Sequence, residues 1–322
     1  MSDYTIYGGE ESYFTRKLEA AMRFYGADFT SKRKRENPQA EIRSGTHQIP
    51  VLHTPEDWMI ADTTPLLHLL DSRFPDRAMF PAGPLGVLVH IVEEYFDEWV
   101  ARTMVHYRWH YPESAAFAAP RIAAGDKELE EKVLNWGPRS CRATGTESEH
   151  QQKAAENEYL RILEAAEAQL QETAFLLGER PTAVDCIVLG GLRAHTYHDP
   201  VPKRVVENFP TVVDWLGNRA DAWHGGGELA PFPDSTAFAR TVLAEMATSF
   251  KPFVLGNRDA QRTGDKAFVA TIYDEDVSYL SRAYPETSRQ MIIKRIAELA
   301  NDDREAVNAW LSEIDLLDIF KE

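Results

Sequence analysis

Residues 48–70 read QIPVLHTPEDWMIADTTPLLHLL. Gln48 to His53 has β character but contains a proline, which has no N–H to give to a ladder. Pro50 therefore belongs at a sheet edge, a strand start or a cis turn. Glu56-Asp57 makes a turn, and Trp58 to Ala61 reads as a second short strand. Asp62-Thr63-Thr64-Pro65 opens a helix. Asp62 or Thr63 can cap it, and Pro65 suits a first turn in which N–H groups have no intrahelical partner. Leu66, Leu67, Leu69 and Leu70 supply the apolar side chains, and the helix ends near Phe74-Pro75-Asp76.

Toward the N-terminus, Tyr4 to Tyr7 is a β-prone run closed by Gly8-Gly9. Tyr13 to Tyr25 is an amphipathic helix, with Phe14, Leu18, Ala21, Met22 and Tyr25 near helical spacing and Gly26 as its stop. Ala27 to Thr30 reads as another short strand. The order is β-α-β, then β-β-α: a small α/β layer over residues 1–80. Lys32 to Arg35 is a run of four basic residues, read here as a solvated turn; a nuclear signal or a nucleic-acid patch is the weaker alternative.

A linker rich in proline and glycine, Phe80 to Gly86, leads into a mostly helical pattern over 87–224. Its first helix carries an aromatic stripe and runs to about Tyr111, where Pro112 is expected to stop it. Pro120 to Glu149 reads as polar and irregular, with a short helical piece at Asp126 to Trp136. A long helix follows from Gln151 to Ala174. Thr182-Ala183-Val184-Asp185 has the form of a capping box before an apolar helix. The stretch 234–322 reads as an extension, with helical pieces at Ser235 to Phe250, Ser288 to Ala300 and Arg304 to Leu317, and a short strand near Val269 to Ile272.

The 322 residues carry 35 basic and 51 acidic side chains, a net charge of -16, which disfavours a nucleic acid or an anionic membrane as partner. No apolar run reaches the ~20 residues of a membrane span. MSDYTIYGG has no apolar signal core. Two cysteines, Cys141 and Cys186, exclude a disulfide scaffold or a thiolate-rich metal site, and the expected location is cytoplasmic. His106 and His110 are four apart, but HYRWH offers no acidic third ligand; His195, His198 and Asp199 are similar. No metal is expected. Gly225 to Gly227 lacks the lysine and hydroxyl of a phosphate loop.

Together these pieces resemble the glutathione transferase superfamily. YTIYGGEESYFTRKLEAAMRFYGADF resembles its first strand, active-site loop and first helix; Gln48 to Leu52 resembles the stretch with its cis-proline. The segment from Ile60 to Leu70 resembles the one carrying an acid–hydroxyl pair, and FLLGERPTAVDCIVLGGLRAH resembles the helical signature. KPFVLGNRDAQRTGDKAFVATIYD looks like the extension of some longer bacterial members. The resemblance implies a thioredoxin-like α/β layer, an all-α helical bundle, a mainly helical extension, glutathione as co-substrate, and a homodimer.

It also implies roles. Ser12, at a helix start, would donate to the glutathione sulfur and favour the thiolate, the nucleophile toward an electrophilic small molecule; Tyr13 is the substitute donor and Tyr7 a third hydroxyl. The plain alternative is that Ser12 only caps the helix. The Ile49 backbone beside Pro50 would pair with the extended tripeptide, Gln48 would hold its glycine end, and Asp62 with Thr63 its γ-glutamyl end. Gln48 stands where many members have lysine, which leaves His47 and Arg43 as the nearby cations. Tyr107, Arg108 and Tyr111 are candidates for the electrophile site, with Trp136 and Arg139 as cover. The absence of a cysteine in the loop argues against thiol–disulfide exchange. A non-catalytic binding or scaffold protein of the same fold is the rival reading.

Overall fold

The computed structural model describes residues 4–321. Four strands, β1 (Tyr4–Gly8), β2 (Phe29–Arg33), β3 (Val51–His53) and β4 (Met59–Ala61), form a sheet in the order β2-β1-β3-β4. β1 and β2 run parallel, joined through helix α1 (Tyr13–Tyr25), and the other pairs are antiparallel. Gly26 ends α1 at φ 70°, where it and Ala27 return N–H groups to Arg23 and Met22. Ala27 is thus spent in the cap, and β2 starts two residues later than its β propensity predicts.

The basic run is not a solvated turn. Lys32 and Arg33 finish β2, while Lys34 is buried with Nζ on the carbonyls of Thr46 and Gln48. Arg33 and Arg35 reach the carbonyls of Arg121 and Ala123, at the C-terminal end of a helix where cations are favoured. Helix α2 (Pro38–Ser44), capped by Asn37, precedes β3, and α3 (Thr63–Arg73) follows β4.

Helix α4 (Gly83–Glu94) passes through a wide π-type turn, Tyr95–Val100, into α5 (Ala101–Trp109). α5 stops at Trp109, just short of Pro112 as expected, and Pro112 itself starts α6 (Pro112–Ala123), in the first turn where proline costs no hydrogen bond. α7 (Lys127–Ala143) fills the stretch expected to be irregular; Asp126 caps it and Pro138 lies within it. α8 (Glu149–Glu172), α9 (Ala183–Gly191), α10 (Pro200–Val206) and α11 (Pro210–Asp214) complete the bundle. The Thr182–Asp185 capping box forms reciprocally. α1 and α9 pack closely: a Cβ on Gly190 would lie 2.8 Å from the Tyr13 carbonyl.

The extension comprises α12 (Ala237–Thr248), α13 (Phe250–Thr263), an antiparallel hairpin of β5 (Ala267–Ile272) and β6 (Glu275–Leu280), then α14 (Ala283–Ala297) and α15 (Asn301–Glu313). The architecture is a thioredoxin-like mixed sheet with its helices, an all-α bundle and a mainly helical extension. The extension is no loose tail: one apolar core runs from Ile6 and Leu18 through Trp99 and Leu189 to Phe253 and Leu311. No helix among the described residues is long and apolar enough to cross a membrane.

Candidate active site

A cleft of about 680 Å³ lies where the sheet layer, the bundle and the extension meet. The sheet layer contributes Ser12, Phe14, Gln48, Ile49, Pro50, Asp62 and Thr63. The structure thus brings together Ser12, Gln48, Ile49, Pro50, Asp62 and Thr63, but leaves Tyr7, Tyr13 and Arg43 outside the cleft. The Ile49–Pro50 peptide is cis, and Ile49 precedes the first β1–β3 ladder pair, Tyr7↔Val51.

Ser12 is the N-cap of α1, and its Oγ accepts the Thr15 N–H at 3.3 Å. An oxygen that accepts this bond keeps its own proton to donate. The plain capping geometry is therefore present in a residue that also faces the cleft. Tyr13 points elsewhere. It is buried and its hydroxyl donates to the Phe96 carbonyl at 3.1 Å, while burial pushes its pKa well above the ordinary phenol value. Tyr7 is buried with Ala40 and Val51.

Asp62 sits at the head of α3 with φ 71°, a left-handed conformation rare for a non-glycine residue, and makes no side-chain capping bond. Burial, then the charge of Asp97, raises its pKa. Thr63 is buried beside it. At the other end, the Gln48 Oε1 accepts the Tyr284 hydroxyl at 2.9 Å. Arg43 lies outside the cleft, paired with Asp57 on the exposed surface, whereas His47 lines it.

The bundle's contribution differs from the expected one. Tyr107 is buried, Arg108 is buried, and Tyr111 donates to Glu156 at 2.5 Å. None of the three lines the cleft. The face of α5 turned toward it carries Ala101, Arg102 and Val105. Helical spacing turns Tyr107 away from that face, and Tyr111 lies past the end of α5; Arg108, three residues on from Val105, shares its side of the helix but does not reach the cleft. Arg108 instead forms a fork with Asp199 at 2.8 and 3.0 Å and donates to the Glu11 carbonyl at 2.7 Å. It ties the bundle to the loop that carries Ser12. This also commits Asp199, one of the residues weighed for metal binding.

The π-type turn places Asp97, Glu98 and Trp99 successively on the cleft wall. Behind them lies Lys17, fully buried on α1, with Nζ on Glu93, on Asp97 at 2.6 Å and on Thr64 at 2.9 Å. Burial alone would lower its pKa, but the two carboxylates outweigh that and raise it. Sequence reasoning missed Lys17 because a lysine on an amphipathic helix reads as solvent-facing.

Trp136 lines the cleft, but from a helix; Arg139 lines a separate cavity of about 440 Å³ beside the hairpin. The extension adds Phe253, Tyr279, Arg282 and Tyr284 to the cleft, none of which sequence reasoning identified. The cysteines lie elsewhere. Cys186 is buried in α9 and Cys141 in α7, and burial raises both thiols.

Residues 123–219 match the family model of the glutathione S-transferase C-terminal domain. No curated protein matches the chain. Solved structures resemble it at low identity. A beta-etherase from Sphingobium sp. strain SYK-6 is 15% identical, with 69% of this chain and 96% of that one covered and a TM-score of 0.49. A glutathione S-transferase from Rhodospirillum rubrum F11 is 16% identical, with coverage of 74% and 99% and a TM-score of 0.46. A theta class glutathione S-transferase from Xanthomonas axonopodis pv. citri, solved with glutathione bound, is 16% identical, with coverage of 69% and 96% and a TM-score of 0.43. Over residues 123–219, then, this chain is similar to the C-terminal domain of the glutathione S-transferases.

Proposed function

We propose that this protein is a glutathione-dependent transferase that joins the glutathione thiolate to an electrophilic small molecule. The observation that carries the reading is convergence: Ser12 at the positive end of α1, the Ile49 backbone beside cis-Pro50, and the Asp62–Thr63 head of α3 all line one cleft. Helix starts favour anions, which suits a thiolate at α1 and a carboxylate at α3. Asp62 supplies an acid for the γ-glutamyl ammonium.

In the proposed reaction the Ser12 hydroxyl donates to the glutathione sulfur and lowers its pKa. The thiolate then forms a bond to the electrophilic carbon as the leaving group departs with its electron pair. The cleft supplies proximity to an apolar second substrate through Phe14, Trp99 and Phe253. Isomerisation or peroxide reduction would begin from the same thiolate. The expected homodimer belongs to this proposal on resemblance alone; because α14 and α15 pack on α4, its interface would lie away from that helix.

The test is turnover of a panel of halonitroaromatic and epoxide electrophiles with glutathione, wild type against Ser12→Ala. The proposal expects saturable turnover that falls about tenfold to hundredfold in the variant. No glutathione binding at millimolar concentration, with no turnover, would overturn it in favour of the scaffold reading.

A further inference from the structure

The cations that line the cleft among the described residues are His47, Arg102 and Arg282. Arg102 is buried and committed: it donates to Glu158 at 2.7 Å and stacks 4.2 Å over Trp99. Arg282 is different. Its side chain is 45% exposed, and its one carboxylate partner is Glu98, reached through Nη2 at 3.1 Å. A guanidinium has five donors, so most of this one is available to a second acid.

Arg282 is also held in place. Asn257, 1% exposed, spends both polar atoms of its amide on the backbone of this single residue. Its Oδ1 accepts the Arg282 N–H at 2.8 Å, and its Nδ2 donates to the Arg282 carbonyl at 3.0 Å. Two residues on, the Tyr284 hydroxyl bonds Gln48 across the cleft mouth. The segment carrying Arg282 is thus anchored on α13 and on the sheet layer.

Behind it lies a cluster of buried aromatic rings, tilted to one another, whose edges reach the cleft. Trp99, Phe253 and Tyr279 have ring centroids 5.1 to 6.2 Å apart, and Arg282 stands 5.8 Å from the Phe253 centroid. This end of the cleft therefore combines an available cation, anchored through its backbone, with the edges of apolar rings.

We propose that the extension gives the cleft a carboxylate-binding end, in which Arg282 pairs with an acid group of the bound molecule while its apolar body lies against the cleft-facing edges of Trp99, Phe253 and Tyr279. The carboxylate is either glutathione's own or one on an aromatic second substrate. The first case rests on the proposed function; the second does not.

The test uses the full chain and two readouts, calorimetric titration with glutathione and tryptophan fluorescence with the pair 2-naphthoate and 2-naphthylmethanol. R282Q leaves Glu98 buried without its cation, so the double variant E98Q/R282Q, which removes both charges, is measured beside it, with circular dichroism to establish folding. If the second substrate carries the acid, wild type prefers naphthoate by about tenfold or more, and the folded double variant loses that preference. If glutathione carries it, the double variant binds glutathione about tenfold or more weakly. Either result supports the role of Arg282. Unchanged glutathione affinity together with an unchanged or absent naphthoate preference overturns it. Naphthoate preference without any glutathione binding would sink the proposed function and leave Arg282 its role.

Discussion

In the proposed reaction Ser12 has one oxygen for two partners, the Thr15 N–H and the glutathione sulfur, and that makes its substitution informative. Ser12→Ala forfeits a cap worth about 1 kcal/mol, a cost the fold should survive, so its effect on the thiolate can be read in a folded protein. Arg108 is the opposite case. Removing its side chain strands Asp199, which is fully buried, and frees the Glu11 carbonyl. Arg108→Gln should destabilise the protein by about 3–5 kcal/mol in urea unfolding; a change within 1 kcal/mol would contradict the pinning role. Glu98 supplies a pH signature. Burial pushes its pKa from 4.5 up to about 7, against the pull of Arg282. An acid raised on folding adds stability that is complete below its unfolded value and is lost as pH rises through its folded value. Between pH 4.5 and 8, wild type should therefore lose a few kcal/mol relative to Glu98→Gln. Parallel pH dependences in the two proteins would contradict this. At this scale legibility follows locality: Ser12, Gln48 to Pro50 and Asp62–Thr63 sit in short motifs, whereas Lys17 gets its meaning from Thr64, Glu93 and Asp97 on other elements.

Helix α1 could be read to its ends because an apolar face, a capping serine and a terminal glycine agree. α6 and α7 could not, since Pro120 and Gly137-Pro138 look like breakers in a polar stretch. Packing decides there: Gly137 lets α7 approach α5 so closely that a Cβ would lie 3.1 Å from the Trp109 side chain. The basic run misled for a related reason, since its acceptors are carbonyls from the 46–48 loop and the end of α6. The β6–α14 junction is the element on which the cleft's far wall depends. Asn257→Ala removes both clamps on Arg282 and should raise amide exchange at 280–284 while leaving the sheet layer protected. Exchange unchanged at the junction would show that packing alone holds it.

The fold of the whole molecule was legible through its first 220 residues because strand order, cis-proline, helix caps and apolar periodicity point to one arrangement. The extension's part in the cleft was not, because Gln48 and Tyr284 are 236 residues apart. Glu158 shows how fully the parts are joined. Buried on α8, it accepts from Tyr95 at 2.5 Å, Trp99 at 2.9 Å, Arg102 at 2.7 Å and Ser249 at 2.7 Å, linking bundle and extension. Arg102 and the hydroxyl donors outweigh its burial and lower its pKa. Glu158→Ala, which leaves Arg102 buried and unpaired, should cost about 3–5 kcal/mol. Because a continuous core spans all three parts, the extension should melt with the bundle in a single calorimetric transition; a separate early transition would contradict that.

The most direct test of the central claim is ultraviolet difference absorbance of glutathione titrated into wild type and Ser12→Ala near neutral pH, with binding followed by calorimetry in the same samples. The account predicts saturable binding to both proteins, with a thiolate signal in wild type that is largely lost in the variant. Full thiolate absorbance in Ser12→Ala, or no binding to wild type at millimolar glutathione, would contradict it.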